Sequence, residues 1–145
     1  MTYAAALLAL VSAGLFTGAA IYVSLVEHPA RRGLGDAALL AEWTPSYKRG
    51  AMIQAPLALV ASALGVAPFF LGYDWRWLLG AGLMLANWPY TLLVIMPTNK
   101  RLLALPADAP GPELRPLIEA WGRLHAVRTL LGAASMLVYL WALLG

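Results

Sequence analysis

The sequence predicts an all-α fold, a four-helix transmembrane bundle with both termini on one side. Three observations predict it. Residues 1–26, 50–73, 77–99 and 129–145 contain no charged side chain, although the 145-residue chain carries ten basic and seven acidic ones. Each run matches the roughly 20 residues that a helix needs to cross a bilayer, the last if it starts near Leu124 and takes in Arg128. The connections between the runs are short, so residues 1–145 read as one integral membrane domain with spans near 3–27, 50–72, 75–96 and 124–144. Composition agrees: 61% of residues are apolar and 12% charged, against about a quarter charged in soluble domains.

Punctuation sets the elements in order. The first run lacks a basic n-region and a small-x-small cleavage site, so it reads as a retained span. Its helix extends from Tyr3 to Glu27 and stops near Pro29. Residues 36–43 suit a short interfacial helix with Leu39, Leu40 and Trp43 on lipid. Thr44-Pro45 resembles an N-cap followed by a first-turn proline, which starts helix 2 before it enters the membrane near Gly50. Helix 3 begins around Trp75 and meets Pro89 and Pro97, which deprive the Leu85 and Leu93 carbonyls of partners and predict kinks. Residues 106–112, with three prolines and a glycine, form a loop. Helix 4 starts near Glu113 and runs to the C-terminus. Gly14 and Gly18, four apart, suit close helix packing.

Charge orients the bundle. Loops 27–49 and 97–123 hold eight of the ten basic residues, and the opposite face holds only Arg76. The positive-inside rule places those loops in the cytoplasm and both termini outside a plasma or inner membrane. Tyr3, Tyr73, Trp75, Trp77, Tyr139 and Trp141 then fall at the outer boundary, and Trp43, Tyr47 and Trp121 near the inner one. The lipid bilayer is the first partner. The net charge of +3 is explained by this boundary placement, so no nucleic acid is expected. The absence of cysteine excludes disulfides, thiolate metal sites and cysteine nucleophiles. A homo-oligomer is compatible with the sequence.

Polar groups inside a membrane are expensive and usually face the bundle interior. Glu27 and His28 end helix 1, Gln54 lies just inside helix 2, and Asn99 ends helix 3. Trp121, His125 and Arg128 form one stripe at the start of helix 4. Asn87 lies ten residues before Pro97, about 15 Å from that end, and is the one member near mid-membrane. The others share the cytoplasmic level and come from all four helices, which suggests a polar pocket roofed by the two long loops and floored by Asn87. Each residue also has a structural reading. Arg128 either snorkels to the interface or pairs with Glu27, Asn87 bridges helices, and Trp121 anchors the interface.

These residues carry a family resemblance. Glu27-His28-Pro29-Ala30, Ser46-Tyr47-Lys48-Arg49, Gln54-Ala55-Pro56, Asn87-Trp88-Pro89-Tyr90-Thr91, Met96-Pro97-Thr98-Asn99-Lys100-Arg101-Leu102 and the Trp121, His125, Arg128 spacing resemble the anthrone oxygenase-like family of small four-helix membrane proteins. The resemblance spans nearly the whole chain. It implies oxidation of a hydrophobic, membrane-soluble aromatic substrate by O2, without metal or flavin. Such a reaction needs a base, a cation for the enolate oxygen and a dry cavity. His125 or His28 is the candidate base, Glu27 its orienting group and Arg128 the cation. Gln54, Asn87, Tyr90, Asn99 and Trp121 are the candidate substrate-binding residues, with Trp88 beside them.

Two other classes remain open on the residues. His28, His125 and Glu27 match the ligand types of a non-haem metal site, and the two histidines those of a haem site. A non-catalytic membrane binding or accessory protein is the third.

Overall fold

Lipid offers nothing to backbone N–H and C=O groups, so an apolar stretch crosses it as a helix that bonds them internally. The computed structural model describes residues 2–72 and 74–145. It contains four long helices: α1 (Tyr3–Arg32), α2 (Asp36–Phe70), α3 (Arg76–Leu103) and α4 (Leu114–Leu144). No strand occurs among the described residues. α1 and α3 each pack between α2 and α4, at opposite corners of the bundle. Both termini lie at one end with the α2–α3 connection, and the other two connections form the opposite, two-loop end.

The helices run further than the prolines suggest. α1 does not stop near Pro29. Residues Val23–Glu27 form a wide π-turn in which the His28 N–H bonds the Val23 carbonyl, and the helix resumes over His28–Arg32. α3 repeats the device. Thr91–Ile95 is a π-turn closed by the Met96 N–H on the Thr91 carbonyl, immediately before Pro97. A proline ring collides with the carbonyl four residues back. One extra residue in the preceding turn moves that carbonyl aside, so the helix survives in a shifted phase.

α2 likewise absorbs Pro45, Pro56 and Pro68 within 35 residues. The separate interfacial helix expected over 36–43 is instead its first turns. The Thr44 hydroxyl donates to the Leu40 carbonyl at 2.9 Å and so does not cap a new helix. At 1.5 Å per residue α2 is about 52 Å long, well beyond the roughly 30 Å hydrocarbon layer. Its excess stands at the two-loop end and packs there. Leu39, Leu40 and Trp43, expected on lipid, are buried with Ile95, Leu102, Leu114, Leu117, Ile118 and Trp121.

A second core fills the terminal half. Alanines of α1 and α2 and Phe16 meet Trp77, Ala81, Met84 and Tyr139. Here the close approach is at Gly65 and Gly80, where an added Cβ would collide with the Tyr139 ring; a Cβ at Gly14 would make only ordinary contact with Met136, and the space at Gly18 is open. Three buried hydroxyls of this layer donate to a backbone carbonyl of another helix: Ser62 to Ala81, Ser135 to Gly80 and Tyr139 to Ala61. Trp77 and Tyr139, expected at the membrane boundary, are therefore core residues, stacked on each other at 5.3 Å. Tyr3, Trp75 and Trp141 are exposed at this end, where Arg76 lies over Trp141 and pairs with Asp74. Tyr73, expected in the same belt, lies outside the described residues.

Candidate functional site

Between the two cores the helices enclose a cavity of about 180 Å³, lined by all four. Its roof consists of helix ends, the extensions of α1, α2 and α4, and not of the connecting loops. Seven of the nine residues singled out in the sequence line it: Glu27, Gln54, Asn87, Asn99, Trp121, His125 and Arg128. Trp121 is buried in this wall, so it is not an interface anchor.

Two do not. His28 lies on the other side of the Trp121 indole, 5.7 Å from it, in a shallow outer groove with Arg32, Glu119 and Arg123. Its imidazole fits against Gly122 so closely that a Cβ there would overlap it. This corrects the expectation that both histidines share one pocket. The π-turn rotates His28 away, and α1 does not end at the level where its polar groups could converge. Tyr90 packs beside the core of the two-loop end. Glu27, His28 and His125 accordingly do not converge, and among the described residues no three His, Asp or Glu side chains are placed to hold one metal ion.

The charges pair differently from the sequence expectation. Because α1 continues through Pro29, Arg31 arrives one turn after Glu27 and pairs with it. Glu42 of α2 approaches Arg31 Nε at 2.7 Å, and the Ser46 hydroxyl donates to Glu42. Arg31 is buried and lies over the Trp121 ring. Arg31, Ser46 and Tyr47 line the cavity and were not singled out as polar site residues. The i, i+4 spacings Glu27–Arg31 and Glu42–Ser46 were the readable signal.

Arg128 has no such partner. Glu27 is committed to Arg31, and no ion pair or hydrogen bond to Arg128 is formed among the described residues, its Nε being buried and unbonded. Its guanidinium lies 5.6 Å from the Phe16 ring, which packs against Gly132 one turn deeper on α4. Both the Glu27 pairing and the snorkelling reading are therefore corrected. The cation reaches toward the middle of the bundle and faces the cavity.

Amides complete the wall. Gln54 Oε1, Asn87 Oδ1 and both polar atoms of the Asn99 side chain are buried without hydrogen-bond partners. Asn87 does not bridge helices: its Nδ2 donates to the Met84 carbonyl of its own helix at 3.1 Å, while Oδ1 stays unmatched at the cavity. An unpartnered buried polar atom forfeits about 1–3 kcal/mol. Gathered at one wall, these atoms are free to bond a guest in the cavity. His125 stacks on Trp121 at 5.0 Å, with Nδ1 turned to the Ser24 hydroxyl at 3.1 Å.

Known proteins bear on this site. The sequence pattern described as anthrone oxygenase matches residues 43–138. That stretch contains Gln54, Asn87, Asn99, Trp121, His125 and Arg128, and excludes Glu27 and Arg31. An anthrone oxygenase of Claviceps purpurea (strain 20.1) is 29% identical over 144 residues, covering 90% of this chain and 83% of the relative. No solved structure matches. With a family pattern over more than half its length, on a helical membrane bundle, the chain belongs to the anthrone oxygenase family.

Proposed function

We propose that the protein is a membrane oxygenase and that the cavity is its reaction chamber. The substrate is an apolar fused-ring ketone with an acidic ring methylene, as in an anthrone. The observation that carries the reading is the unpaired Arg128 guanidinium, held beside His125 and four unmatched amide atoms. An uncompensated cation within a bundle has a cost of a few kcal/mol, which a developing enolate oxygen would offset.

In this reading His125 removes the methylene proton and Arg128 holds the enolate oxygen. The carbanion passes one electron to O2, the radical pair recombines to a peroxide, and loss of water leaves a carbonyl. The methylene is oxidised by four electrons. One oxygen atom ends in the product carbonyl and the other in water, so no further reductant is required. Glu27 and Glu42 are both committed to Arg31, which leaves Arg128 as the cation of the wall without a carboxylate partner.

A sealed cavity of about 150 Å³ admits one benzene ring, so the roughly 180 Å³ here encloses the reacting ring. The rest of the ring system extends along the seam between α2 and α3. There α2 meets Arg76–Tyr90 of α3, whereas Thr91–Leu103 leans on α4, and the lining residue Leu92 is 52% exposed. The basic residues at the two-loop end orient that end to the cytoplasm of a plasma or inner membrane, with the termini outside. A reporter fused after Gly145 is expected to read as external.

The test is oxygen uptake and quinone formation by the purified protein in lipid discs supplied with an anthrone. His125→Ala is expected to lower turnover by about 10²-fold or more while the thermal midpoint hardly moves. Turnover at the uncatalysed rate in the unaltered protein would overturn the reading.

A further inference from the structure

A histidine serves as a base through whichever ring nitrogen carries no proton, so the tautomer of His125 decides what the cavity meets. The groups behind the ring determine it. Nδ1 lies 3.1 Å from Ser24 Oγ, and Ser24 Oγ lies 2.9 Å from Thr129 Oγ1. Thr129 Oγ1 in turn lies 3.2 Å from the Ala20 carbonyl and 3.3 Å from the His125 carbonyl. Each hydroxyl has one proton to give, and a carbonyl only accepts.

Two proton orders are available. In the first, Nδ1–H donates to Ser24, Ser24 donates to Thr129, and Thr129 donates to the Ala20 carbonyl, so all three side chains give their proton to an acceptor. In the second, Thr129 donates to Ser24 and Ser24 donates to Nδ1. That order makes one bond fewer in the chain. It also turns an Nε2–H away from Ser24, where Nε2 has no hydrogen-bond partner among the described residues. Where water is scarce, the order with more bonds prevails.

We propose that Ser24 and Thr129 are positioning residues that hold His125 as its Nδ1–H tautomer and leave the Nε2 lone pair free as the base. The proposal rests on the reading of His125 as the base of the cavity. Ser24 can reach it because it lies inside the wide turn Val23–Glu27 that precedes Pro29. Neither Ser24 nor Thr129 lines the cavity, so both act through His125.

The experiment is nitrogen-15 magnetic resonance of histidine-labelled protein in lipid bilayers, which distinguishes a protonated from an unprotonated ring nitrogen. The chain has only His28 and His125, and the His125→Ala spectrum assigns the two. The expected result is a protonated Nδ1 and a bare Nε2 on His125. Thr129→Val removes the acceptor of the Ser24 proton, so Ser24 turns donor and His125 switches to the Nε2–H form. Thr129→Ser keeps the original form. Ser24→Ala removes the tautomer preference and lowers kcat about tenfold with KM unchanged, and Ser24→Thr restores both.

An Nε2–H signal in the unaltered protein, or a tautomer unmoved in both Ser24→Ala and Thr129→Val, overturns the proposal. The spectra need no turnover. A protein that shows the expected tautomer and switch yet consumes no oxygen with an anthrone would sink the oxygenase reading and leave the positioning roles standing.

Discussion

Arg128 shows how far a single residue can be read. Its spacing from His125 placed both on one face of α4, and the cost of a charge inside a bilayer marked it as needing a reason. Its partner could not be read, because pairing depends on where Glu27 ends up, and Glu27 is taken by Arg31. The unmatched guanidinium leads to a prediction. Arg128→Met keeps the length of the side chain and removes the charge, so the protein should become about 1–3 kcal/mol more stable while losing turnover. Thermal unfolding in detergent measures the first and quinone formation the second. A lower midpoint would mean that the fold, and not a ligand, uses the cation. Asn87 is the quieter case. Its bond to the Met84 carbonyl within α3 stands where a bridge between helices was expected, and the free Oδ1 became visible only with the cavity around it.

At the scale of the element, the prolines were visible and their effect was not. Pro29 and Pro97 each sit two residues after a π-turn, and α1 continues where a stop was expected. One added residue shifts all that follows by about 100°. That rotation brings Arg31 to the cavity wall and sends His28 behind Trp121. The price of this arrangement is a tight seam between α1 and α4 at Gly122, where the His28 ring occupies the place of a side chain. Gly122→Ala should therefore destabilise the protein by about 1–3 kcal/mol through overpacking, and leave the turnover of the folded fraction unchanged, because Gly122 lies outside the cavity. Equal thermal midpoints for the variant and the parent would contradict the packing described.

At the scale of the whole molecule, two cores brace the bundle and the cavity occupies the layer between them. If the cavity is the reaction chamber, the seam where α2 and the second half of α3 part is the proposed entrance for an apolar substrate from the bilayer. The absence of cysteine makes this testable without background. Ala51→Cys and Leu92→Cys together place one thiol on each side of the seam. Bridging them with a short bifunctional maleimide should lower kcat/KM about tenfold or more for a lipid-dissolved substrate, whereas either single variant treated in the same way should retain activity. Full activity in the bridged protein would place the entrance elsewhere.

By itself the sequence determined the number of helices, their membrane environment, the level at which polar groups gather and most of the polar residues that line the cavity. Those properties are local: a charge-free run either is or is not long enough to span, and a polar side chain within it must turn inward. Only the tertiary structure decided which polar groups meet. The Glu27–Arg31–Glu42 cluster, the separation of His28 from His125, and the Ser24–Thr129 chain behind the ring depend on the rotation of each helix about its axis. Two wide turns set that rotation. The proline that induces each one is legible, but whether the helix answers by stopping, kinking or widening depends on the neighbours it packs against.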